Sequence, residues 1–334
     1  MKPSFLSKDN NNKIYIVAPS MGAYDYKKKK RLEKSINNLT NLGYEITVGK
    51  NVYKNEGIAA SASKEDRANE IMDAFKSDAS LVISTAGGEV MSQILKLIDF
   101  NVIKNNPKWF MGYSDNTNLI YTITTILDIE TIYGPHATSF YMTPFTYDTQ
   151  DAYLMLTGKT TFKAYKRWES EYNNKLYPIY NLNKKTKMIN YNFTKVKGRI
   201  IGGCLDCLST LCGTKFDNTV NYINKHKDEG IIFFLEAYDY NSVGIIRVIE
   251  QLKSAGWFNN VSAFIIGRSV KHNDKSFGIS ITDAYYESLK DLNVPIILNA
   301  SIGHLGPSLP IRCGALCEVE FKNNNLYFNY DTNE

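Results

Sequence analysis

The chain has 334 residues, of which 43% are hydrophobic and 22% are charged, and its formal net charge is +5. These values are ordinary for a soluble globular protein, and the length favours two domains that each bury their own core. No apolar stretch approaches the roughly 18 residues that a membrane span needs, so the sequence predicts no membrane partner.

The N-terminus, the cysteines and the basic residues bear on compartment and partners. Residues 1–13 lack an apolar core followed by a small-residue cleavage site, so no secretory signal is expected. The five cysteines are an odd number in a long chain, which argues against a disulfide framework and favours the cytoplasm. The basic run at 27–31 lies in an amphipathic helical pattern, where a solvated helix face is favoured over a nucleic-acid patch.

Short β-rich runs alternate with helical patterns over residues 1–145. Strands are predicted at 13–20, 44–50, 80–88, 108–114 and 130–137. Helical patterns extend to about Leu42, cover 64–76, and recur as VMSQILKLI and NTNLIYTITTIL. Strands that alternate with helices indicate a parallel sheet with helices on its faces. The predicted fold class is therefore α/β, with an N-terminal parallel-sheet domain.

The pattern breaks down between residues 146 and 197, a segment rich in Tyr, Asn and Lys that we interpret as a connecting insert. A second series of strands is predicted at 199–203, 230–237, 261–269 and 294–300, and helical patterns follow the first three. Two short runs, ALCEVEF and NLYFNYD, predict a terminal hairpin. Residues 198–334 are thus predicted to form a smaller C-terminal α/β domain.

The strongest local signal is the segment GYSDNT at 112–117, where an apolar strand ends and a helix begins. A serine on such a turn projects its hydroxyl from the carboxyl end of the strand, and the helix N-terminus offers N–H groups to an oxyanion. The pattern is similar to the G-x-S-x-G nucleophile turn, with Asn116 in place of the second glycine. The alternative is a plain helix cap, which Ser114 would also serve well.

Two glycines follow the predicted strand at 80–88. Gly87 and Gly88 allow a ligand to approach the backbone closely, or they simply form a tight turn, which is the more common use of such a pair. If this strand end lies beside Ser114 in a parallel sheet, one of the two amides can supply an oxyanion donor.

A carboxylate and a histidine stand at strand ends in the second half. Glu236 closes the apolar strand GIIFFLEA, where an acid needs a partner unless the strand end is solvated. His304 lies in the Gly- and Pro-bracketed loop IGHLGP just after a strand, and His136 in YGPH is a rival with similar surroundings. A serine, a histidine that takes its proton and a carboxylate that orients the histidine are the minimum set for serine nucleophile chemistry.

Two further groups of residues invite functional hypotheses. Cys204, Cys207 and Cys212 have a spacing that suggests a metal site, but a fourth ligand is missing locally and the segment has the pattern of an apolar helix. Buried thiols without a metal are therefore expected. Arg268 and Lys271 could meet an anionic substrate or lie on the surface.

These segments together resemble the LD-carboxypeptidase family of serine peptidases, which also contains the microcin C self-immunity hydrolases. The resemblance covers nearly the whole chain. Each segment is short, and it is their number and order that make the match specific: IVAPS, STAGGE, GYSDNTNL, TIYGP, GRIIGGCLD, FLEAYD, LKSAGWF, IIGRS and IGHLGPSLPIRCGA.

The resemblance implies a nucleophile at Ser114 and triad partners at Glu236 and His304, which favours His304 over His136. It also implies an N-terminal parallel-sheet domain, a smaller C-terminal α/β domain, an active site between them and a homodimer. No cofactor and no metal are implied.

The oxyanion hole that the resemblance implies uses the amide of Asp115 and one from the Gly87–Gly88 pair. Glu89, Trp168 and Cys204 are candidate substrate-binding residues. Many family members carry Asn where this chain has Cys204, and the insert at 146–197 looks longer than in compact LD-carboxypeptidases. The microcin-immunity branch uses an aromatic residue in that region to stack on a nucleobase, and Trp168 is available here.

The favoured prediction is a serine carboxypeptidase that removes the terminal D-Ala of a murein tetrapeptide across an L,D bond. The alternative within the family is hydrolysis of an aminoacyl- or peptidyl-nucleotide. A non-catalytic small-molecule binding module is a third hypothesis, although such a module has no need of a serine, a glutamate and a histidine together.

Overall fold

The computed structural model describes residues 1–171 and 175–331. Residues 172–174 of the predicted insert and 332–334 of the predicted C-terminal domain lie outside these ranges. The chain divides into two compact units. The first comprises Met1–Lys159, Asn173–Ile179 and Pro310–Arg312, and the second comprises Thr160–Tyr172, Tyr180–Leu309 and Cys313–Glu334.

The strands fall largely where apolar and β-branched runs predict them. In chain order they are β1 (Lys13–Val17), β2 (Glu45–Val48), β3 (Leu81–Ser84), β4 (Trp109–Gly112), β5 (Thr131–Tyr133), β6 (Thr161–Lys163), β7 (Arg167–Trp168), β8 (Lys184–Lys185), β9 (Ile189–Tyr191), β10 (Lys195–Cys204), β11 (Ile231–Glu236), β12 (Val261–Gly267), β13 (Ile296–Ala300), β14 (Ile311–Cys313), β15 (Leu316–Lys322) and β16 (Asn325–Tyr330).

The α-helices lie between these strands: α1 (Tyr26–Asn41), α2 (Lys64–Lys76), α3 (Phe100–Asn105), α4 (Thr117–Leu127), α5 (Tyr147–Leu156), α6 (Leu205–Leu211), α7 (Thr219–Lys225), α8 (Ser242–Ser254) and α9 (Ile281–Leu289). Single turns of 3-10 helix are found at Ser114–Asn116, Ala137–Ser139, Ser276–Gly278 and Lys290–Leu292, and a longer 3-10 stretch at Met91–Leu97. Helix α2 shows why its bounds were predictable. Ser63 caps the amide of Asp66, and Lys76 stands in the last turn, where a cation complements the helix dipole.

The sheet of the first unit has the strand order β14-β5-β4-β3-β1-β2. Strands β1 to β5 pair in parallel, as the alternation of strands and helices predicts. The outer strand β14 comes from late in the chain, and Arg312 on it forms a buried ion pair with Glu130, with Nε 2.6 Å from Oε2. Because the strands are parallel, their carboxyl ends meet at one edge, where Gly87 and Ser114 follow β3 and β4.

The sheet of the second unit has the order β6-β16-β15-β10-β11-β12-β13-β9. Strands β10 to β13 are parallel, and antiparallel strands flank them on both sides. The predicted terminal hairpin is confirmed as the antiparallel pair β15 and β16. Glu236 is the last residue of β11 and Cys204 is the last residue of β10.

The segment 146–197 contains α5 and the short strands β6 to β9 within its described part. Strands of two or three residues are too short to show an alternating pattern. Helix α5 buries Asp148 and Thr149 together with Ala152, Met155 and Leu156, so its buried face is not visible as an apolar stripe. The boundaries predicted at 145/146 and 197/198 stay predictions. Among residues 1–171 and 175–331, no helix is both long and apolar enough to cross a membrane.

Candidate active site

Ser114 sits on a strained turn at the carboxyl end of β4. Tyr113 is extended, Ser114 has a φ of 61°, and a single 3-10 turn leads directly into α4. A non-glycine residue in this left-handed region costs about 1–2 kcal/mol, because its Cβ approaches the following carbonyl oxygen. Such strain clusters at functional sites, so the geometry favours a nucleophile turn over a plain helix cap.

Gly112 and Asn116 make this turn possible. A Cβ at Gly112 would lie 2.9 Å from Cβ and Cγ of Asn116, so a side chain at 112 would push the helix start away from the strand. The side-chain amide of Asn116 donates to the carbonyls of Ala86 and Tyr113, each at 3.1 Å. Asn116, which takes the place of the second glycine of the familiar motif, therefore ties the turn to the end of β3.

Gly87 lies against the side chain of Ser114. A Cβ at Gly87 would stand 3.1 Å from Cβ and 3.2 Å from Oγ of Ser114, so the missing side chain keeps the space beside the hydroxyl open. Gly88 has a φ of 156°, and a Cβ there would fall 2.1 Å from Oγ of Ser20. The next residue, Glu89, is exposed.

The carboxylate of Asp115 is a buried anchor. It accepts hydrogen bonds from the Ser20 hydroxyl, from the Met91 amide at 2.9 Å and from the Asn118 side chain at 3.0 Å. Burial raises the pKa of Asp115, and these hydrogen bonds oppose the shift. The side chain therefore fixes the start of α4, and the amide of Asp115 is the group that the resemblance assigns to the oxyanion.

His136 also belongs to this cluster. Its ring stacks on Tyr113 with the centroids 4.2 Å apart, and its Nε2 lies 3.1 Å from the Tyr113 carbonyl and 3.2 Å from Nδ2 of Asn116. His136, the rival histidine of the sequence, is therefore engaged with the main chain of the turn that carries Ser114. Tyr133 contributes in the same way, since its hydroxyl accepts a hydrogen bond from the Ser114 amide at 3.3 Å.

In the second unit, Glu236 and His304 form a buried pair. Oε2 of Glu236 lies 2.8 Å from Nδ1 of His304, and Glu236 has 0% exposure. The alternative of a carboxylate at a solvated strand end is thereby ruled out. A hydrogen bond at Nδ1 selects the tautomer in which Nε2 is the nitrogen that can take a proton.

Two glycines make room for this carboxylate. A Cβ at Gly267 would lie 3.0 Å from Cβ of Glu236 and 2.4 Å from the Ile302 carbonyl oxygen. Gly303 has a φ of 117°, and a Cβ there would lie 3.0 Å from Oε2 of Glu236. Glycine at both positions lets the histidine loop pass directly over the acid.

The interaction with Glu236 raises the pKa of the His304 imidazole. Burial lowers the pKa of His304, but the charge of Glu236 and its hydrogen bond outweigh burial and hold the pKa above its usual range. The ring of Tyr238 lies 4.8 Å from that of His304 and packs against it. The arrangement stabilises an imidazolium, as a general base paired with a carboxylate requires.

Cys204 is the direct neighbour of Glu236. The two residues are register partners at the ends of β10 and β11, and the Cys204 thiol donates to Oδ2 of Asp206 at 3.5 Å. The Asp206 carboxylate is held in turn by the amides of Tyr238 and Asp239, each at 2.9 Å. A hydrogen bond with the Cys207 side chain, together with burial, raises the pKa of Cys204 well above its usual value, so the thiol is neutral beside Glu236.

Arg268 is not a surface residue. It is only 2% exposed, and its guanidinium donates to Oγ of Ser301 at 3.2 Å and to the carbonyls of Leu305 and Pro307 at 3.2 and 3.1 Å. Burial lowers its pKa to about 9. Arg268 therefore supports the loop that carries His304, whereas Lys271 is exposed and bonds the carbonyl of Asp239.

Trp168 is attached to the same loop. The Arg268 guanidinium lies 5.1 Å from the centre of the Trp168 ring, and the amide of the adjacent Glu169 donates to the Gly306 carbonyl at 2.9 Å. His272 packs against the indole edge-on, with the ring centroids 5.1 Å apart. The Trp168 indole is thus held next to the loop that carries His304.

The structure assembles the predicted residues in two groups. Ser114, Asp115, Gly87 and Gly88 belong to the first unit, and Glu236, His304, Cys204 and Trp168 belong to the second. The contacts of Asp206 and Tyr133 were not predicted, because nothing in their local sequence marks them. The structural role of Asn116 could have been predicted, because Asn116 replaces a glycine of the motif at a position that must approach the neighbouring strand.

Comparison with known proteins decides the family. The LD-carboxypeptidase N-terminal domain matches residues 14–134, and the LD-carboxypeptidase C-terminal domain matches residues 197–319. The chain belongs to the LD-carboxypeptidase family. This confirms the resemblance seen in the motifs and makes the protein a hydrolase of the serine carboxypeptidase class.

Two curated relatives represent both branches of this family. The microcin C7 self-immunity protein MccF of Escherichia coli is 27% identical over 314 residues, which cover 89% of this LD-carboxypeptidase and 88% of the relative. A probable murein peptide carboxypeptidase of Bacillus subtilis is 25% identical over 319 residues, which cover 94% of this chain and 90% of the relative.

The fold of this LD-carboxypeptidase is also that of solved structures. MccF in complex with aspartyl sulfamoyl adenosine superposes with a TM-score of 0.83 at 24% identity, over 99% of this chain and 98% of that one. The predicted α/β class, with a parallel sheet in the N-terminal part and a C-terminal α/β part, is confirmed.

The strain at Ser114 predicts an unusual effect on stability. Ser114→Gly should raise the free energy of unfolding by about 0.5–1 kcal/mol, because glycine adopts a positive φ without a Cβ clash. Urea denaturation of both proteins measures the difference. Ser114→Ala is the matched control, since alanine keeps the Cβ and should bring no gain. Equal stability of the glycine and alanine variants would contradict the strained turn.

Proposed function

We propose that this LD-carboxypeptidase cleaves the L,D peptide bond before the terminal D-Ala of a murein tetrapeptide, through a triad of Ser114, His304 and Glu236. The observation that carries the proposal is the buried Glu236–His304 pair, with Nδ1 of the imidazole 2.8 Å from the carboxylate. A carboxylate and an imidazole held in this way have the geometry of a general base and the group that orients it.

In the proposed reaction, Nε2 of His304 takes the proton of the Ser114 hydroxyl as Oγ attacks the amide carbonyl. Glu236 stabilises the imidazolium that forms, and His304 then gives the proton to the nitrogen of the departing D-Ala. Water, activated by the same histidine, hydrolyses the acyl-enzyme. Apart from the water molecule, every catalytic group in these steps belongs to the chain.

In this proposal, two backbone amides stabilise the negative charge that develops on the carbonyl oxygen by donating hydrogen bonds to it. One is that of Asp115 at the start of α4, and the other comes from the Gly87–Gly88 pair. The space that Gly87 leaves beside the Ser114 hydroxyl supports this assignment. The loss of one such donor costs about 10²–10³ in kcat in other acyl transferases.

The proposal requires residues of both units to act on one substrate. We propose a domain for 1–145 that supplies the nucleophile, a connecting insert at 146–197, and a domain for 198–334 that supplies the glutamate and the histidine. A cytoplasmic location and a homodimer are also proposed. The five cysteines are free thiols, which supports the cytoplasmic location. Light scattering of the purified protein tests the homodimer.

The nucleophile assignment predicts the effect of Ser114→Ala. The variant should fold normally and lose about 10⁴–10⁶ in kcat on an L,D-tetrapeptide, because triad members act as a unit. The release of D-Ala measures the activity. Near-normal turnover by this variant would overturn the proposal.

The pKa of His304 predicts a pH dependence. The imidazole must be neutral to act as a base, so kcat/KM should rise with pH through the raised pKa of His304. Glu236→Gln removes the charge that raises this pKa and leaves burial, which lowers it. The acid limb of the profile should therefore move to lower pH, and kcat should fall by about 10⁴-fold. A limb that stays in place or moves to higher pH would contradict this role of Glu236.

A second substrate class is favoured by one specific observation. Trp168 is held on the buried Arg268, which also bonds the loop of His304. An indole that is supported on one face by a guanidinium can offer its other face for stacking on a nucleobase. The relative MccF has been solved with aspartyl sulfamoyl adenosine, and we propose hydrolysis of an aminoacyl- or peptidyl-nucleotide as the alternative activity. Glu89 and Cys204 remain proposed substrate contacts in either case.

The two substrate classes are separated by kcat/KM for an L,D-tetrapeptide and for an aminoacyl sulfamoyl adenosine, in wild type and in Trp168→Ala. We expect the tetrapeptide to be preferred and insensitive to the substitution. Stacking would instead give the nucleotide about 1–3 kcal/mol, which Trp168→Ala would remove and the control Trp168→Phe would largely keep. Cleavage of the nucleotide conjugate with none of the tetrapeptide would show that the alternative is correct.

A further inference from the structure

The residues around Glu236 combine three metal-binding chemistries in one place. Cys204 and Glu236 are register partners on adjacent parallel strands, so their side chains project from the same face of the sheet. His304 reaches this point from its loop and bonds Glu236 at 2.8 Å. One sulfur, one carboxylate oxygen and one imidazole nitrogen from these three residues lie within 4.8 Å of one another.

This spacing is close to that of a zinc site. Zinc binds sulfur at about 2.3 Å and nitrogen or oxygen at about 2.0–2.2 Å in a tetrahedron, so its ligands stand about 3.5 Å apart. The widest pair here needs to close by roughly 1 Å. Side-chain rotation supplies such a movement, and a mixed set of sulfur, nitrogen and oxygen ligands is one that zinc accepts.

This group of three possible ligands differs from the three cysteines that the sequence spacing suggests as a metal site. Cys204 ends β10, Cys207 lies within α6, and Cys212 follows the end of that helix. Among the residues that the structure describes, the three thiols do not form a group at ligand distance, whereas Cys204 does so with Glu236 and His304. The Cys207 side chain is hydrogen-bonded to that of Cys204. The group of three at ligand distance nevertheless joins Cys204 to Glu236 and His304 and not to the other two thiols.

We propose that Cys204, Glu236 and His304 bind a single thiophilic divalent cation, Zn²⁺ in the cell, and that this cation inhibits the enzyme. Water completes the tetrahedron. The Cys204 thiol releases its proton when the cation binds, as thiol ligands do. Asp206, with Oδ2 3.5 Å from the sulfur and held by two backbone amides, adds negative charge beside the site. The binding site itself does not depend on the proposed peptidase activity.

Inhibition follows from the ligand atoms that the cation takes. A cation on Nε2 of His304 prevents the imidazole from accepting a proton, and a cation on Nδ1 displaces the hydrogen bond to Glu236. Either mode removes the base from the proposed triad. The site is therefore a sensor that competes with catalysis rather than a cofactor site.

The test is a titration of the full-length protein with Cd²⁺, which replaces Zn²⁺ at thiolate sites and gives an ultraviolet sulfur-to-cadmium charge-transfer band. We expect the band to saturate at one equivalent, and a chelator to abolish it. Cys204→Ser should weaken binding by at least about 100-fold, the upper end of the loss seen when a supporting partner alone is removed. Cys212→Ser, which alters a partly exposed thiol of the same motif, is the control and should keep the band.

A second variant guards against a folding defect in Cys204→Ser. His304→Gln leaves the thiol in place and should also weaken Cd²⁺ binding. D-Ala release is measured in parallel, where Zn²⁺ should inhibit wild type and the Cys212→Ser variant and lose potency on Cys204→Ser. A band that persists in both Cys204→Ser and His304→Gln, or that disappears in Cys212→Ser, overturns the site. The absorbance readout keeps this outcome separate from any failure of the proposed peptidase reaction.

Discussion

The second unit depends on one constraint, a glutamate with no exposure at the end of a parallel strand. An isolated buried carboxylate is expensive, and removal of a partner from a buried ion pair typically costs about 3–5 kcal/mol. His304 supplies the partner, and Gly267 and Gly303 supply the space in which the two can meet. Arg268 then holds the histidine loop through its carbonyl groups, so the surrounding structure serves to keep one hydrogen bond in place.

The first unit solves a different problem, namely how to expose a hydroxyl on a tight turn. Glycines do this at the end of β4 and in the loop after β3, since Gly112 lets the helix start close to β4 and Gly87 leaves the space beside Ser114. Asn116 then fastens the turn by donating to the Ala86 carbonyl, and Nε2 of His136 accepts a hydrogen bond from the Tyr113 amide. Rigid support at the ends of strands is what fixes a nucleophile to within the small tolerance that acyl transfer allows.

Much of this architecture could be predicted from the sequence, for identifiable reasons. Helix α2 is found at its predicted bounds, where Ser63 caps the first turn and Lys76 stands in the last turn, and β3, β4 and β11 are evident as apolar runs. The stretch Met91–Leu97 was predicted as a helix and is a 3-10 helix, a distinction that apolar spacing does not resolve. Helix α3 was missed because its six residues are too few to show a period.

The site was predictable at the level of residue types but not of contacts. The segments around Ser114, Glu236 and His304 stand out because reactive residues follow apolar strands beside glycine. The environment of Arg268 was not predictable, since its partners at 301, 305 and 307 are main-chain carbonyls and a hydroxyl rather than an acid. Nor was the group formed by Cys204, which exists only because of the register between β10 and β11.

The backbone at position 114 limits which residue can take the nucleophilic role that we propose for Ser114. A φ of 61° is open to serine, but it is a genuine outlier for a β-branched residue. Threonine, which has a hydroxyl of the same chemistry, is therefore excluded by the backbone rather than by its reactivity. Cysteine is unbranched at Cβ and meets no such barrier, so a change of nucleophile in this scaffold leads from an alcohol to a thiol and not to a second alcohol.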